Sequence, residues 1–139
     1  MQEGGILNRE ITRLLARMGH MDELIVCDAG FPIPDGVDTV DLALSENTPR
    51  VTEVLGVLKP HFSMEKLVVA DETRSHSPSM LSKIQAVLGT TMPLETIPHE
   101  ALKSRSRNVK AIIRTGDFTA YTNVLLVSGA GDRWHVEKM

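Results

Sequence analysis

The chain has 139 residues, of which 42% are hydrophobic and 24% are charged, and its formal net charge is −3. These values are typical of one soluble globular domain, so we expect a single domain over residues 1–139. The lone cysteine fits a reducing compartment and the N-terminus lacks a basic region followed by an apolar run, so we expect the protein in the cytoplasm. The slightly acidic balance disfavours nucleic acid as a partner, because phosphate binding needs a concentrated basic surface. The single cysteine, Cys27, excludes an intrachain disulfide, and no apolar run approaches the ~20 residues that span a bilayer, so we expect no membrane partner.

Segments of helical periodicity alternate with short apolar runs in chain order. Helices are predicted over 9–18 behind the N-cap Asn8, from Thr48-Pro49 to about residue 59, from Ser77-Pro78 to Gly89, and over 100–106. Strand-like runs occupy 24–27, 39–43, 66–71, 94–97, 109–114 and 124–127. This alternation predicts an α/β fold, a three-layer α/β/α single domain with a largely parallel or mixed sheet of about six strands. The last two strands are close in sequence and could pair in either sense, and the polar tail 131–139 is predicted to be flexible.

Two stretches resemble nucleotide-binding motifs but lack their essential parts. The run 67–72 looks like the acidic strand of P-loop ATPases, yet the chain has no G-x-x-x-x-G-K-[ST] loop. Residues 129–131 lack the third glycine and the helix of a dinucleotide fingerprint. No Cys/His/Glu spacing matches a metal site, and Cys27 is better interpreted as a small buried strand residue than as a nucleophile. We therefore expect no cofactor and no metal.

Three side chains at the ends of predicted elements are suited to proton transfer and ligand binding. His20 follows the first helix, Asp28 follows the first strand, and His99 follows the fourth strand. Imidazole exchanges protons near neutral pH, and open α/β sheets bind ligands at the carboxyl ends of their strands. Structural interpretations stay open. His20 can be a favourable cation near a helix end, Asp28 can cap the following turn, and His99 can lie at a proline bend. Solvated roles are expected for His61, His76 and His135.

The segment before the last strand adds neutral hydrogen-bonding groups. If it is extended, Tyr121 and Asn123 lie on one face with Thr122 between them. Neutral donors and acceptors beside carboxylate and imidazole suit an uncharged, polyhydroxylated ligand such as a sugar better than a phosphate. Tyr121 can equally be an edge residue with its hydroxyl in water, and Asn123 a turn former.

Several segments of the chain occur together, in the same order and spacing, in one known family. They are residues 5–8, 18–22, 28–37, 41–44, 97–100, 113–118 and 121–129. Through them the chain from Gly5 to about Gly129 resembles the ribose pyranase and fucose mutarotase family.

The resemblance implies an enzyme that interconverts the pyranose and furanose forms of D-ribose and supplies the furanose form for ribose catabolism. It implies His20 as the proton donor and no cofactor, with Asp28 orienting the imidazole or binding a hydroxyl. The sugar-binding positions that it implies are Asp28, His99, Tyr121, Thr122 and Asn123. Family members are ring-like homo-oligomers, decamers among them, with sites where subunits meet, so we expect assembly. Two alternatives remain: an L-fucose mutarotase, which exchanges anomers, and a non-catalytic sugar-binding accessory protein.

Overall fold

A mixed sheet forms the centre of the computed structural model, which describes residues 1–137. Its strands, in chain order, are Glu23–Cys27 (β1), Asp38–Asp41 (β2), Met64–Ala70 (β3), Leu94–Ile97 (β4), Ala111–Arg114 (β5) and Val124–Ser128 (β6). Across the six-stranded sheet the order is β2-β5-β1-β6-β3-β4. β6 is antiparallel to both of its neighbours, and the other neighbouring pairs are parallel. The predicted α/β fold with a mixed sheet is therefore confirmed.

Helices lie on both faces of this sheet. They are Arg9–Arg17 (α1), Val51–Leu58 (α2), Asp71–His76 (α3), Pro78–Leu88 (α4) and His99–Arg105 (α5), and one 3₁₀ turn, Ser106–Asn108, follows α5. Side chains of α1, α2 and α4 pack in one core, and Leu102 of α5 packs in the other. Alternation along the strands fills both cores: Val26 belongs to the first core, and Cys27 belongs to the second. The sheet is thus buried on its two sides, as predicted.

The start of α1 agrees with the sequence, whereas the start of α2 does not. The Asn8 side chain accepts the Ile11 N–H at 3.0 Å, which is the expected N-cap bond. α2 begins at Val51 rather than at Thr48-Pro49. The Thr48 carbonyl is already engaged, because it accepts the N–H groups of Leu44 at 3.0 Å and Ser45 at 3.3 Å. It is therefore not free to accept the first hydrogen bond of a helix.

Two further features differ from the sequence-based expectation. The last two strands do not pair, because β1 lies between β5 and β6. All residues of β6 are buried, which a central position satisfies and an edge position would not. α3 was not predicted, since it continues β3 without a connecting loop. Ser77 does not cap α4 with its side chain, because its hydroxyl donates to Ala120 O at 2.8 Å.

The chain after β6 runs on without a helix or strand as far as Glu137. The predicted flexibility of 131–139 stays a prediction, and Lys138 and Met139 lie outside the described residues. No helix in the described part of the chain is both long and apolar enough to cross a membrane.

Candidate functional site

The candidate site residues occupy two opposite edges of the sheet. Asp28 follows the carboxyl end of β1, His99 follows that of β4, and Asn123 precedes the antiparallel β6 at the same edge, here called the carboxyl edge. His20 precedes β1, at the opposite or amino edge. Because β1 alone covers roughly 13 Å at ~3.3 Å per residue, Asp28 does not orient the imidazole of His20 within one copy. The structure thus brings five of the six candidates to one edge and leaves His20 at the other.

Asp28 is a buried carboxylate that backbone groups hold in place. Its Oδ1 accepts the Gly30 N–H at 3.1 Å, and its Oδ2 accepts the Thr122 N–H at 3.2 Å. Its own N–H donates to Asn123 Oδ1 at 2.9 Å. Burial raises the pKa of Asp28 above its ordinary value, and the backbone N–H groups act in the opposite direction. Asp28 therefore has the turn-capping role considered above and also joins the loop after β1 to the loop before β6.

The segment before β6 is not extended, so the alternation predicted for it is wrong. Tyr121 has a left-handed backbone with φ +58°. Its carbonyl accepts the Thr73 hydroxyl at 2.6 Å, and its ring packs edge-to-face against His99 with centroids 5.1 Å apart. The Asn123 side chain instead turns into the protein toward Asp28. The turn therefore sends the two side chains to different partners at the same edge.

Two polar atoms at the carboxyl edge are buried without a hydrogen-bond partner among residues 1–137. They are His99 Nδ1 and Thr122 Oγ1. Leaving such an atom unsatisfied costs about 1–3 kcal/mol, so native proteins pair almost all of them. The hydroxyl groups of a ligand are able to satisfy both atoms. This edge therefore presents two polar atoms that hydroxyl groups can satisfy.

Sequence reasoning missed several neighbours of these residues. The Glu72 carboxylate accepts the His99 N–H at 3.1 Å, and Arg114 donates to Ala29 O at 3.1 Å from Nη2. His76 is exposed, as expected, but its ring centroid lies 5.2 Å from that of Tyr121. Glu72 is the second residue after β3, at the edge that also carries Asp28, and this position is the signal that could have found it.

At the amino edge a tight turn presents His20. The Asp22 N–H donates to Gly19 O at 3.1 Å, and the Gly19 N–H donates to Asp22 Oδ2 at 2.7 Å. Met21 takes the left-handed conformation with φ +75°, and its N–H donates to Ser128 O at 2.9 Å. The exposed His20 ring contacts Glu65, with 3.1 Å between Nε2 and Oε2. Glu65 is thus the side-chain partner of the imidazole.

Each edge has an open cavity. The cavity of about 540 Å³ at the amino edge is lined by His20, His61, Phe62, Ser63, Gly129 and Trp134, among others. A cavity of about 390 Å³ at the carboxyl edge is lined by residues that include Asp28, Gly30, Arg114, Asp117 and Phe118. Within residues 1–137, no group of three or more His, Cys, Asp or Glu side chains is arranged to hold a metal ion.

Comparison with known proteins shows the family to which the chain belongs. The sequence model of the RbsD / FucU transport protein family matches residues 1–131. The chain belongs to this family. It is 39% identical over 129 residues to the D-ribose pyranase of Halalkalibacterium halodurans, which covers 93% of this chain and 98% of the relative. It is 40% identical over 138 residues to the D-ribose pyranase of Pseudothermotoga lettingae, and the match covers 99% of this chain and 97% of the relative.

Solved structures show the same fold. Bacillus subtilis RbsD complexed with D-ribose superposes with a TM-score of 0.89 at 34% identity, covering 94% of this chain and 99% of that chain. The fucose mutarotase of Streptococcus pneumoniae in complex with L-fucose has a TM-score of 0.70 at 16% identity, covering 90% and 94%. The second similarity shows the fold alone. The resemblance stated from the sequence is confirmed.

Proposed function

We propose that this protein is a D-ribose pyranase, which interconverts the pyranose and furanose forms of D-ribose. The main support is the full-length similarity to curated D-ribose pyranases, at 36% to 42% identity. The observation in the structure that carries the proposal is the carboxyl edge, where His99 Nδ1 and Thr122 Oγ1 are buried without partners. In the cytoplasm, the furanose product would enter ribose catabolism.

The chemistry requires only proton transfers. In ring opening the bond between the anomeric carbon and the ring oxygen breaks, the ring oxygen gains a proton, and the anomeric hydroxyl loses one to water, leaving an aldehyde. Rotation about a carbon–carbon bond and attack of a different hydroxyl then close the other ring, with the proton transfers reversed. His20 is the acid in opening and the base in reclosure, and positioned acid–base groups of this kind typically accelerate a reaction ~10²–10⁴-fold.

The carboxyl edge would hold the sugar hydroxyls. Asp28 would accept a hydroxyl hydrogen bond, and His99 Nδ1 and Thr122 Oγ1 would gain the partners that they lack. Asn123 Oδ1 is already bonded to the Asp28 N–H, which leaves its amide N–H groups for the ligand. Tyr121 would contribute its hydroxyl beside His99.

We further propose that each site is shared between two copies of the chain. Because His20 lies at the opposite edge of the sheet from the sugar-binding residues, one copy alone does not assemble the acid and the sugar site. Large apolar side chains are exposed at both edges: Phe118 (64%) at the carboxyl edge and Met21 (60%) at the amino edge. A contact that joins two different edges repeats head to tail, and it gives a ring when its rotation closes and an open filament when it does not. We propose the closed form, with a decamer as one such assembly.

Magnetisation transfer between the pyranose and furanose NMR signals of ribose tests the activity. The wild-type protein should accelerate exchange, and His20→Ala should bind ribose but lose the acceleration. Exchange of fucose anomers without ribose ring exchange would instead identify a mutarotase. Saturable ribose binding without any exchange would identify a sugar-binding accessory protein.

Mixing two inactive variants tests the shared site. His20→Ala supplies an intact carboxyl edge, and His99→Ala supplies an intact His20. After joint unfolding and reassembly at equal amounts, about a quarter of the sites would combine the two intact halves, so about a quarter of the activity should return. A site contained within one copy would give no recovery.

A further inference from the structure

Glu65 is the extra residue of a β-bulge that lies beside His20. In the pairing of β3 with β6, Met64 is opposite Ser128 and Lys66 is opposite Val127, so two steps along β3 match one step along β6. The residue in between, Glu65, has no partner in the ladder. A bulge bends its strand and re-aims a side chain, and bulges are frequent next to active sites.

The bulge directs the Glu65 carboxylate to the imidazole. Its Oε2 lies 3.1 Å from His20 Nε2. Within residues 1–137 this is the one salt bridge of the Glu65 side chain, whereas the neighbouring Lys66 pairs with Glu95. Gly129 lies beside the bulge, since a Cβ there would lie 3.4 Å from Glu65 Cβ and 3.0 Å from Ser63 Oγ.

We propose that Glu65 is a positioning residue that fixes which nitrogen of His20 exchanges a proton with the sugar. The proposal rests on the proposed role of His20 as the acid. A carboxylate accepts hydrogen bonds and has no proton to donate, so it holds the proton of His20 on Nε2. Nδ1 is then the nitrogen that exchanges a proton with the substrate.

The proton balance follows from this assignment. When the His20 imidazole is charged, its Nδ1–H gives its proton to the ring oxygen of the sugar as the bond between the anomeric carbon and that oxygen breaks. The neutral imidazole that remains carries its one proton on Nε2, where Glu65 accepts the hydrogen bond. Its Nδ1 lone pair then takes the proton of the sugar hydroxyl that attacks the aldehyde and closes the new sugar ring. Without Glu65 the neutral ring populates both tautomers and turns more freely, so fewer molecules are ready to react.

Other charged groups lie near His20 but do not take this position. Asp22, on the same turn, accepts the Gly19 N–H with its carboxylate. A second cavity, of about 970 Å³, adjoins His20 at this edge. The remaining titratable or charged residues that line the two amino-edge cavities are Lys59, His61, Asp132 and Arg133. Among these groups, Glu65 is the one whose carboxylate contacts the imidazole.

Glu65→Gln in the full-length protein tests the proposal, because glutamine keeps the shape and removes the charge. Glu95→Gln is the matched control, since Glu95 also forms an ion pair and its side chain is 41% exposed, against 40% for Glu65. We expect Glu65→Gln to lower kcat for ribose ring exchange about tenfold and to change KM less than about twofold. Glu95→Gln should match the wild type in both constants. Glu65→Asp, which keeps the charge but shortens its reach, should lie between the wild type and Glu65→Gln.

The ring ¹⁵N chemical shifts of His20 provide a readout that needs no activity. In the wild type the neutral ring should carry its proton on Nε2, and in Glu65→Gln the two tautomers should be mixed. A proton on Nδ1 in the wild type, or an unchanged kcat in Glu65→Gln, would overturn the proposal. If the wild-type protein does not accelerate ring exchange, the proposed function fails, while the tautomer measurement still decides whether Glu65 sets the state of the ring.

Discussion

Replacing Gly116 by alanine tests how the loop after β5 is packed beneath the carboxyl edge. A Cβ at this position would lie 2.4 Å from Ser45 O and 2.6 Å from Thr48 O. An ordinary contact is 3.4 Å or more, so the overlap reaches about 1 Å, and both obstacles are backbone atoms that no side-chain rotation can remove. The segment around residues 45–48 must therefore move away from β5.

The cost has two parts. Overpacking of this kind destabilises by about 1–3 kcal/mol. The displacement also weakens two backbone hydrogen bonds, from the Gly116 N–H to Pro49 O at 3.0 Å and from the Asn47 N–H to Gly116 O at 2.7 Å, each with a net contribution of about 1 kcal/mol. If each bond loses about half of its contribution, the total loss is about 2–4 kcal/mol, which corresponds to a fall in Tm of roughly 10 °C.

Urea unfolding followed by circular dichroism measures this loss, and Gly56→Ala is the control. Gly56 lies inside α2, and a Cβ there would have no heavy atom within 4 Å. Alanine should therefore stabilise that helix by about 0.5–1 kcal/mol. The same chemical change thus has opposite signs at the two glycines. Gly116→Ala unfolding at the wild-type urea concentration would refute the packing argument.

Three other predictions concern a thiol, a helix cap and a hydroxyl. Burial raises the pKa of Cys27 to about 12, so the thiol should resist aromatic disulfide reagents at pH 8 until the protein is unfolded. Because this pKa is raised above its ordinary value of 9.0, the stability that the protonated thiol contributes is complete below pH 9 and is lost as the pH rises toward 12, by at most ~1.4 kcal/mol per pH unit. In denaturant titrations, the free energy of unfolding of Cys27→Ala should therefore fall less steeply than that of the wild type between pH 9 and pH 12. Asn8→Ala should cost about 1 kcal/mol in urea unfolding, and an unchanged midpoint would contradict the N-cap bond to Ile11. Thr73→Val removes the hydroxyl that donates to Tyr121 O, so it should cost about 1–3 kcal/mol and raise KM for ribose, and an unchanged KM would show that this bond does not shape the site.

Local sequence signals were sufficient to predict the elements that bury apolar side chains. The runs 24–27 in β1 and 124–127 in β6 are apolar throughout, and their residues alternate between two cores, as Leu24 and Ile25 do. The same runs do not specify their neighbours, because pairing is decided by contacts distant in sequence. That is why the position of β6 between β1 and β3 was not predicted. α3 was not predicted because its sequence carries no local signal: it buries only Thr73 and has no apolar periodicity.

The identity of the site residues could be proposed from the sequence, but their geometry could not. Asp28 and His99 follow strands, which predicts a common edge. The left-handed turn at Tyr121 is set by partners such as Thr73, far away in the chain, and no local pattern indicates it. The role of Glu65 is even harder to predict from the sequence, because a bulge is a property of the register between two strands and is not encoded in either strand alone.

The position of Trp134 gives the protein an internal optical probe. It is the single tryptophan of the chain, it is 79% exposed, and it lines the cavity that holds His20. Its fluorescence emission should therefore lie near that of indole in water for a separated copy. If another copy covers the amino edge, the emission should shift to shorter wavelength, whereas ligand binding at the carboxyl edge alone should leave it unchanged. Dilution followed by emission spectroscopy can thus monitor assembly without any label.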